Sequence, residues 1–383
     1  MFKKIKQYLI ISIVSVVFSL YLFEGYLVIN QQISTEFTLK KQLYENQKKQ
    51  KWDIRTKAQI YQDLKKTNNQ IQIPVHPNYF LGKNYPIFPL SGISNSVTIN
   101  CNENGYYSIY QSDRYGFNNP DSEWDNKKIE YLLVGDSFVH GYCVNRPNDI
   151  ASHLRNLSKK SVLNLGYGGN GPLIEYAALR EYLDHDVKKI LWIYMEGNDL
   201  KNLKNERNEI ILASYLSNIN FTQKLTSKQN EIDNVAKKII QNELFKKDKK
   251  KLKYKFLKFL RLNNTKKIIL KGSSEKERLE PVIFTEFKTI LKLSKELAIK
   301  NNSKIYFIYL PTYPRYVSPY DNTNYNLVKN IVKELSIPFI DIDKEVFKKE
   351  QNPLKFFPFE MFGHYNEDGY KKVSEIIYKL TKN

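Results

Sequence analysis

The stretch IEYLLVGDSFVHGYCV, residues 129–144, runs from strand-forming residues straight into a Gly-Asp-Ser turn. Tyr131 to Val134 are apolar or aromatic without alternation, which is typical of a strand buried on both faces. A small residue at the end of such a strand, followed by Ser137, is a common way to expose a nucleophilic hydroxyl at the edge of a sheet. The same tripeptide also forms ordinary turns, so the rest of the chain must decide its meaning.

This run and four others of the same kind alternate with helix-like segments. The apolar runs lie at 128–134, 161–166, 188–195, 303–310 and 337–342, and the helical patterns lie near 147–158, 171–185, 285–301, 324–335 and 367–381. Near-continuous apolar strands that alternate with helices predict a parallel sheet covered on both faces. Right-handed crossovers then give a three-layer α/β/α sandwich, whose chemistry lies at the carboxyl ends of the strands.

The N-terminus predicts a membrane anchor. Lys3, Lys4 and Lys6 precede an apolar span at 8–29, and about 20 such residues cross a bilayer as a helix. Glu24 lies near the far end of the span, where its side chain can reach the interface. No cleavage site of small residues follows, so a signal anchor with a cytoplasmic N-terminus is favoured over a cleaved signal peptide. Everything after residue 30 is then expected outside the cytoplasm.

The remaining chain divides by composition. Residues 31–69 are rich in Lys and Gln and predict a helical stalk or linker, whereas 70–127 are rich in turn residues and predict a small accessory region. The α/β/α domain is expected over 128–383, with a helical insertion at about 200–284. The basic segment 244–262 of this insertion predicts an amphipathic helix, which we expect to dock on the domain rather than lie on an anionic membrane surface.

Charge and cysteine content limit the partners. The 383 residues carry a net charge of +20, but the lysines are scattered among Asn, Ile and Tyr, so no nucleic-acid partner is predicted. The five histidines are dispersed and no two cysteines are closely spaced, so no metal site is predicted either. Cys101 and Cys143 are the only cysteines, and outside the cytoplasm they are expected to form a disulfide, with two unpaired buried thiols as the alternative.

Polar residues follow the predicted strands in an order that suits ester chemistry. After the Gly-Asp-Ser turn come NLGYGGNGP (164–172), EGND (196–199) and FGHYNEDGY (362–370). Ester cleavage needs a nucleophile, a base and donors for the developing oxyanion. Ser137 is the candidate nucleophile and His364 the candidate base, and the donors would be the backbone N–H groups of Ser137 and Gly169 and the amide of Asn198. The structural alternatives are a helix N-cap, a loop turn, an Asx turn and a surface histidine.

These blocks resemble the SGNH (GDSL-type) hydrolase family. The family's nucleophile block matches 135–137, its oxyanion glycine matches Gly169, its G-x-N-D block matches 196–199, and its D-x-x-H block matches 361–364. The resemblance covers about 128–383 without the insertion. It implies a flavodoxin-like α/β/α domain and a serine esterase or acyltransferase mechanism without metal or cofactor. The N-terminal anchor is also similar to bacterial membrane-tethered members that serve envelope polysaccharide acylation.

Two positions depart from the family pattern. Glu196 stands at the first glycine of the third block, and Met361 stands where an aspartate should orient His364. Glu360 is the nearest upstream carboxylate and the first candidate for that role. A Ser–His dyad helped by a backbone carbonyl is an alternative, and the further acidic candidates are Asp341, Asp343, Glu367 and Asp368.

The leading hypothesis is a membrane-anchored, extracytoplasmic serine esterase or O-acyltransferase that acts on acetyl esters of a carbohydrate. The carbohydrate follows from the resemblance and the expected location, at the periplasmic side of a bacterial inner membrane or the cell surface. The alternative is a catalytically inactive component that binds or assembles during envelope polysaccharide modification. A third hypothesis is a membrane-surface scaffold that works through the basic insertion. The sequence makes no prediction of oligomeric state.

Overall fold

The computed structural model describes residues 2–31, 35–271 and 279–382, and within them the strands form two sheets. The strands, in chain order, are β1 (Ile71–Gln72), β2 (Val97–Ile99), β3 (Ile109–Gln111), β4 (Lys128–Gly135), β5 (Val162–Asn164), β6 (Asp186–Met195), β7 (Lys304–Leu310) and β8 (Phe339–Asp341). The helices are α1 (Phe2–Gln31), α2 (Thr35–Lys48), α3 (Lys57–Lys65), α4 (Ser137–His140), α5 (Ile150–Ser158), α6 (Pro172–Tyr182), α7 (Asp199–Glu206), α8 (Ile210–Ser217), α9 (Gln229–Leu260), α10 (Asn263–Lys271), α11 (Pro281–Lys300), α12 (Pro314–Val317), α13 (Thr323–Glu334), α14 (Ile342–Glu345) and α15 (Glu367–Thr381).

The larger sheet confirms the predicted fold class. Its five strands run in the order β5-β4-β6-β7-β8, and every neighbouring pair is parallel. In chain order this is 2-1-3-4-5, the flavodoxin-like arrangement. The order reverses at β4, which has β5 on one side and β6 on the other. A crevice opens at such a switch point at the carboxyl ends of the strands, and this is where the Gly-Asp-Ser turn lies.

Strand side chains alternate between two helical layers. On one face, Leu133, Ile193 and Ile308 belong to a core that also contains residues of α5 and α15, including Leu154 and Val373. On the opposite face, α6 packs against β4 and α11 packs against β7. All these strand residues are fully or almost fully buried, which explains why their sequences show no polar alternation.

The smaller sheet belongs to the region predicted to be accessory. β1 pairs parallel with β2, and β2 pairs antiparallel with β3. Ile60, Ile71 and Ile99 form its small core. This sheet and the larger one lie in one compact unit, Tyr44–Ile240 with Leu279–Asn383.

A second unit comprises Met1–Leu43 and Gln241–Arg278. Within it, the segment Lys4–Val28 of α1 is long and apolar enough to cross a membrane. The Glu24 carboxylate accepts hydrogen bonds from the backbone N–H groups of Asn264 and Thr265 at 3.0 and 2.8 Å, so α1 caps the start of α10. The predicted basic segment 244–262 falls largely in α9, but the side chains of 243–253 lie outside the described residues, so its amphipathic face stays a prediction.

Candidate active site

The candidate nucleophile lies at the end of the central strand. β4 ends at Gly135, and α4 begins two residues later at Ser137. A side chain at Gly135 would place its Cβ 2.3 Å from Val139 and 2.7 Å from the carbonyl oxygen of Ile193, so only glycine allows the chain to turn this tightly. Asp136 caps α4 by accepting the N–H of Phe138 at 2.9 Å. The Ser137 hydroxyl therefore lies at the switch point of the sheet.

His364 reaches this hydroxyl from the loop before α15. Its Nε2 lies 2.9 Å from Oγ of Ser137. The rings of Phe138 and Tyr142 lie against the imidazole, with centroids 4.7 and 5.0 Å away. The contacts hold the base at hydrogen-bond distance from the nucleophile, which is the geometry that general-base catalysis requires.

The carboxylate beside His364 belongs to Glu103, in the smaller-sheet region. Its Oε1 lies 2.9 Å from Nδ1 of His364, and its Oε2 accepts the backbone N–H of the same residue at 2.7 Å. A carboxylate at Nδ1 favours the tautomer in which Nδ1 carries the proton and Nε2 is free to accept one. Ser137, His364 and Glu103 thus form a continuous hydrogen-bonded series with the connectivity of a catalytic triad.

The acidic residues that we predicted for this role lie elsewhere. Glu360 accepts a hydrogen bond from Asn352 Nδ2 at 2.8 Å, and the structure does not place it against the imidazole. Asp341, Asp343 and Glu367 each accept a hydrogen bond from a tyrosine hydroxyl instead. Asp368 lies in the first turn of α15. The carboxylate that contacts His364 comes from outside the predicted domain, so a search of the sequence near the histidine could not find it.

A disulfide joins the acid's loop to the nucleophile's loop. Cys101 and Cys143 are bonded, with their Cα atoms 5.0 Å apart. Asn104, next to Glu103, donates its side-chain N–H to the carbonyl oxygen of Cys143 at 2.9 Å. Cys101 precedes Glu103 by two residues, and Cys143 follows the nucleophile by six. The expected cysteine pair was therefore the one signal in the sequence that could have identified this glutamate.

A glycine in the histidine's loop makes room for the acid. A Cβ at Gly363 would lie 2.7 Å from Oε2 of Glu103 and 3.2 Å from the ring of Pro358. A side chain there would push the carboxylate away from His364. The glycine directly before the histidine is thus required by close approach.

The three expected oxyanion donors follow three neighbouring strands of the larger sheet. Gly169 follows β5, the neighbour of β4, and its φ of +80° is a conformation that favours glycine. Asn198 lies at the start of α7, after β6, and its Nδ2 donates to Asp136 Oδ2 at 2.9 Å. Because an amide nitrogen carries two hydrogens, one remains for a substrate oxygen. Burial raises the pKa of Asp136, although the hydrogen bond from Asn198 opposes this shift.

The smaller-sheet region also covers the glycine loop. A Cβ at Gly169 would lie 2.5 Å from Asn78 Nδ2, and one at Gly168 would lie 2.8 Å from the ring of His76. His76 Nε2 is in turn 2.9 Å from the hydroxyl of Tyr142. The second loop of the site is therefore packed against the region that carries the smaller sheet.

Glu196, one of the two departures from the pattern that the sequence resembles, anchors a neighbouring loop. Its buried carboxylate pairs with Arg315, with Nη2 to Oε2 at 2.5 Å and Nε to Oε1 at 3.0 Å. It also accepts hydrogen bonds from the hydroxyls of Tyr309 and Tyr320 and from the N–H of Thr312. The side chain thus fastens the segment after β7 to the loop that carries Asn198. We did not predict this network.

The residues of the site do not suit a metal ion. Within the described part of the chain, ligand atoms of Glu103, Cys143 and His364 lie within 4.8 Å of one another. The Cys143 sulfur is in the disulfide and is not a thiolate, and metal binding through cysteine requires the thiolate. Glu103 and His364 are already hydrogen-bonded to each other.

No family model matches this sequence, and no curated protein matches it. Similar solved structures include a protein described as a G-D-S-L family lipolytic protein from Desulfitobacterium hafniense DCB-2, which is 15% identical over 67% of this chain and 99% of its own, with a TM-score of 0.36. The acetyl xylan esterase AlAXEase is 12% identical over 66% of this chain and 100% of its own, with a TM-score of 0.38. Protein YXIM from Bacillus subtilis is 11% identical over 67% of this chain and 56% of its own, with a TM-score of 0.36.

Proposed function

We propose that this protein is a serine esterase or O-acyltransferase in which Ser137 is the nucleophile, His364 the general base and Glu103 the orienting acid. The observation that carries the proposal is the hydrogen-bonded series from Glu103 through His364 to Ser137, with both ring contacts at 2.9 Å. The position of the serine at the switch point of a parallel sheet adds support, since ligands bind there in this class of fold.

The proposed reaction uses the three residues in the order of their hydrogen bonds. Oγ of Ser137 attacks the ester carbonyl while Nε2 of His364 takes its proton, and Glu103 stabilises the imidazolium through Nδ1. The oxyanion accepts hydrogen bonds from the backbone N–H groups of Ser137 and Gly169 and from Nδ2 of Asn198. His364 then gives its proton to the leaving alcohol as the carbonyl re-forms, which leaves an acyl-serine. Water or an acceptor hydroxyl, deprotonated by His364, attacks this ester and restores the free serine.

The substrate that we propose is an acetyl ester of a carbohydrate at the outer face of a bacterial membrane. The support is the resemblance of the sequence blocks to SGNH hydrolases and the apolar length of α1, which could tether the catalytic unit. The disulfide agrees with an oxidising compartment outside the cytoplasm.

A reporter fusion tests the membrane orientation. Alkaline phosphatase fused after residue 383 should be active; a silent fusion beside an active cytoplasmic reporter would mean the opposite orientation.

The alternative, a non-catalytic binding component, was suggested by the missing aspartate before His364. A carboxylate at the same ring nitrogen, supplied by Glu103, removes the reason to prefer it. The scaffold hypothesis depends on the basic insertion and stays a prediction.

Activity of the full-length protein in detergent tests the proposal. We expect hydrolysis of p-nitrophenyl acetate and covalent labelling of Ser137 by a fluorophosphonate, because a triad serine reacts with both. Ser137→Ala should abolish labelling and reduce turnover by at least about 10³-fold. Full turnover by Ser137→Ala, or labelling of another serine, would overturn the proposal.

A further inference from the structure

The unit that contains the two sheets has a cavity of about 470 Å³. Its walls come from the end of α2, from the loop that carries Glu103 and from the segments on both sides of His364. The lining residues are Tyr44, Gln47, Lys48, Gln50, Asn104, Tyr106, Lys355, Phe357, Pro358, Phe359, Glu360, Asn366, Glu367 and Asp368. Its volume falls within the range of about 300–1,000 Å³ that is typical of ligand sites.

Three of the lining residues connect the cavity to the loops that carry Glu103 and His364. Asn104 directly follows Glu103, and Asn366 lies two residues beyond His364. Pro358, on the cavity wall, lies 3.2 Å from the Cβ position of Gly363, which also faces Glu103. A molecule bound in the cavity would therefore lie close to the loop of Glu103 and to the loop that carries His364.

The loop that forms one wall is held in an unusual backbone conformation. Phe359 and Glu360 have φ angles of +53° and +58°, and non-glycine residues rarely adopt such values. The Phe359 ring packs against Tyr44 and Trp52, with centroids 6.3 and 5.9 Å away. These ring contacts hold the loop so that its carboxylate lines the cavity. Backbone strain of this kind is concentrated at ligand sites.

The lining chemistry matches a ring of hydroxyl groups. Aromatic rings offer apolar faces, while side-chain amides both donate and accept hydrogen bonds and carboxylates accept them. The amides are those of Gln47, Gln50, Asn104 and Asn366. A pyranose has the same combination, since its C–H faces are apolar and each of its hydroxyls both donates and accepts. Asn104 and Asn366 already donate to backbone carbonyl oxygens, and Gln50 accepts from the Tyr44 hydroxyl, so a ligand would use the remaining donor and acceptor positions of these amides.

The charge of the lining excludes acidic ligands. Three carboxylates, Glu360, Glu367 and Asp368, line the cavity with two lysines. Of the two lysines, Lys355 already forms an ion pair with Glu350, with Nζ 2.5 Å from Oε2. The local balance is thus negative in a chain whose net charge is +20. An anionic sugar would be repelled here, whereas a neutral or amino sugar would not.

We propose that this cavity is a glycan subsite that binds a non-acidic sugar unit of the substrate or acceptor chain next to the acylated position. The inference rests on the proposed function, because a sugar bound here gains its meaning from the acyl chemistry at Ser137. It adds a specific location and a charge preference for the carbohydrate.

Oligosaccharide binding by the full-length Ser137→Ala protein tests the subsite without turnover. The probes are tetramers of N-acetylglucosamine, of glucosamine and of galacturonic acid, measured by saturation-transfer NMR in a detergent without a sugar headgroup. We compare Gln47→Trp, which fills the cavity from an exposed position on α2, with Gln62→Trp, which adds the same ring to an exposed position on α3.

We expect at least one non-acidic tetramer to bind, the galacturonic acid tetramer not to bind, and Gln47→Trp to weaken binding by at least about tenfold, equivalent to about 1.4 kcal/mol. Gln62→Trp should bind like its parent. The subsite is overturned if neither non-acidic tetramer binds, if the acidic one binds equally well, or if Gln47→Trp has no effect. Failure of the proposed function would appear separately, as p-nitrophenyl acetate turnover that does not depend on Ser137.

Discussion

Replacing Glu103 by glutamine tests how His364 is held. The carboxylate accepts two N–H groups of one residue, the ring Nδ1–H at 2.9 Å and the backbone N–H at 2.7 Å. Glutamine has a single carbonyl oxygen, so its NH₂ group must face one of these two positions. The backbone nitrogen can only donate, whereas the ring can move its proton. The amide carbonyl should therefore face the backbone, and its NH₂ group should face the ring.

The consequence is a histidine with the wrong tautomer. An NH₂ group at Nδ1 requires that nitrogen to accept, so the ring proton moves to Nε2, which then cannot take the proton of Ser137. The equivalent exchange in a serine protease triad lowers kcat by about 10⁴-fold. At 1.36 kcal/mol for each factor of ten, this loss is about 5 kcal/mol of transition-state stabilisation. We expect a loss of 10²- to 10⁴-fold here, because a partly exposed ring can also accept help from water.

The assay is kcat/KM for p-nitrophenyl acetate with the full-length protein, measured across pH. Glu345→Gln is the matched control, since Glu345 makes an exposed pair with Lys349 outside the site. The control should retain wild-type activity. A loss of less than tenfold for Glu103→Gln, or an equally large loss for Glu360→Gln, would refute the assignment of the acid.

Three further predictions follow from the site and its surroundings. Reducing the disulfide should lower kcat by up to about 100-fold, since it frees the acid's loop; the same treatment should have no further effect on Glu103→Gln, and an equal effect there would disprove the link. Asn198→Ala should lower kcat by about 10²- to 10³-fold with little change in KM, because an oxyanion donor acts in the transition state; a change confined to KM would contradict this role. Burial lowers the pKa of His140 to about 3, and neither ring nitrogen has a hydrogen-bond partner within the described residues. Below pH 6.5 the imidazole therefore takes up a proton in the unfolded chain but stays neutral in the folded protein. The free energy of unfolding should fall by up to about 1.4 kcal/mol for each pH unit below 6.5. In urea melts at pH 7 and pH 5, His140→Phe should show a smaller fall than wild type, with a remainder from the buried His76; an unchanged fall would show that other groups set the acid sensitivity.

The fold was predictable because its strands are buried on both faces. The run at 188–195 became β6, Asp186–Met195, and the run at 303–310 became β7, Lys304–Leu310. Such runs have few competing conformations once helices cover both faces. The run at 161–166 became only Val162–Asn164, because the chain then turns into the glycine loop. The hydrophobicity of a run does not indicate at which residue its strand stops pairing with the neighbouring strand.

The acid was not predictable for a different reason. Ser137 and the donors follow strand ends, whose positions in space are set by the order of the sheet. Glu103 lies in the small-sheet region, and its approach to His364 depends on a tertiary contact and a disulfide rather than on any spacing in the chain. In the sequence Glu196 is likewise only a departure from a glycine pattern, because its partner Arg315 lies more than a hundred residues further on.

The position of Glu103 in the chain determines which regions the proposed active site requires. Cutting the chain before Lys128 would keep the residues of the parallel sheet, Ser137 and His364 but remove Glu103 and Cys101. On the proposed mechanism, the α/β/α layers are therefore not an independent catalytic module, because the region of the smaller sheet supplies Glu103. A descendant could lose activity by changing the smaller segment alone, with every strand-end residue of the larger sheet unchanged.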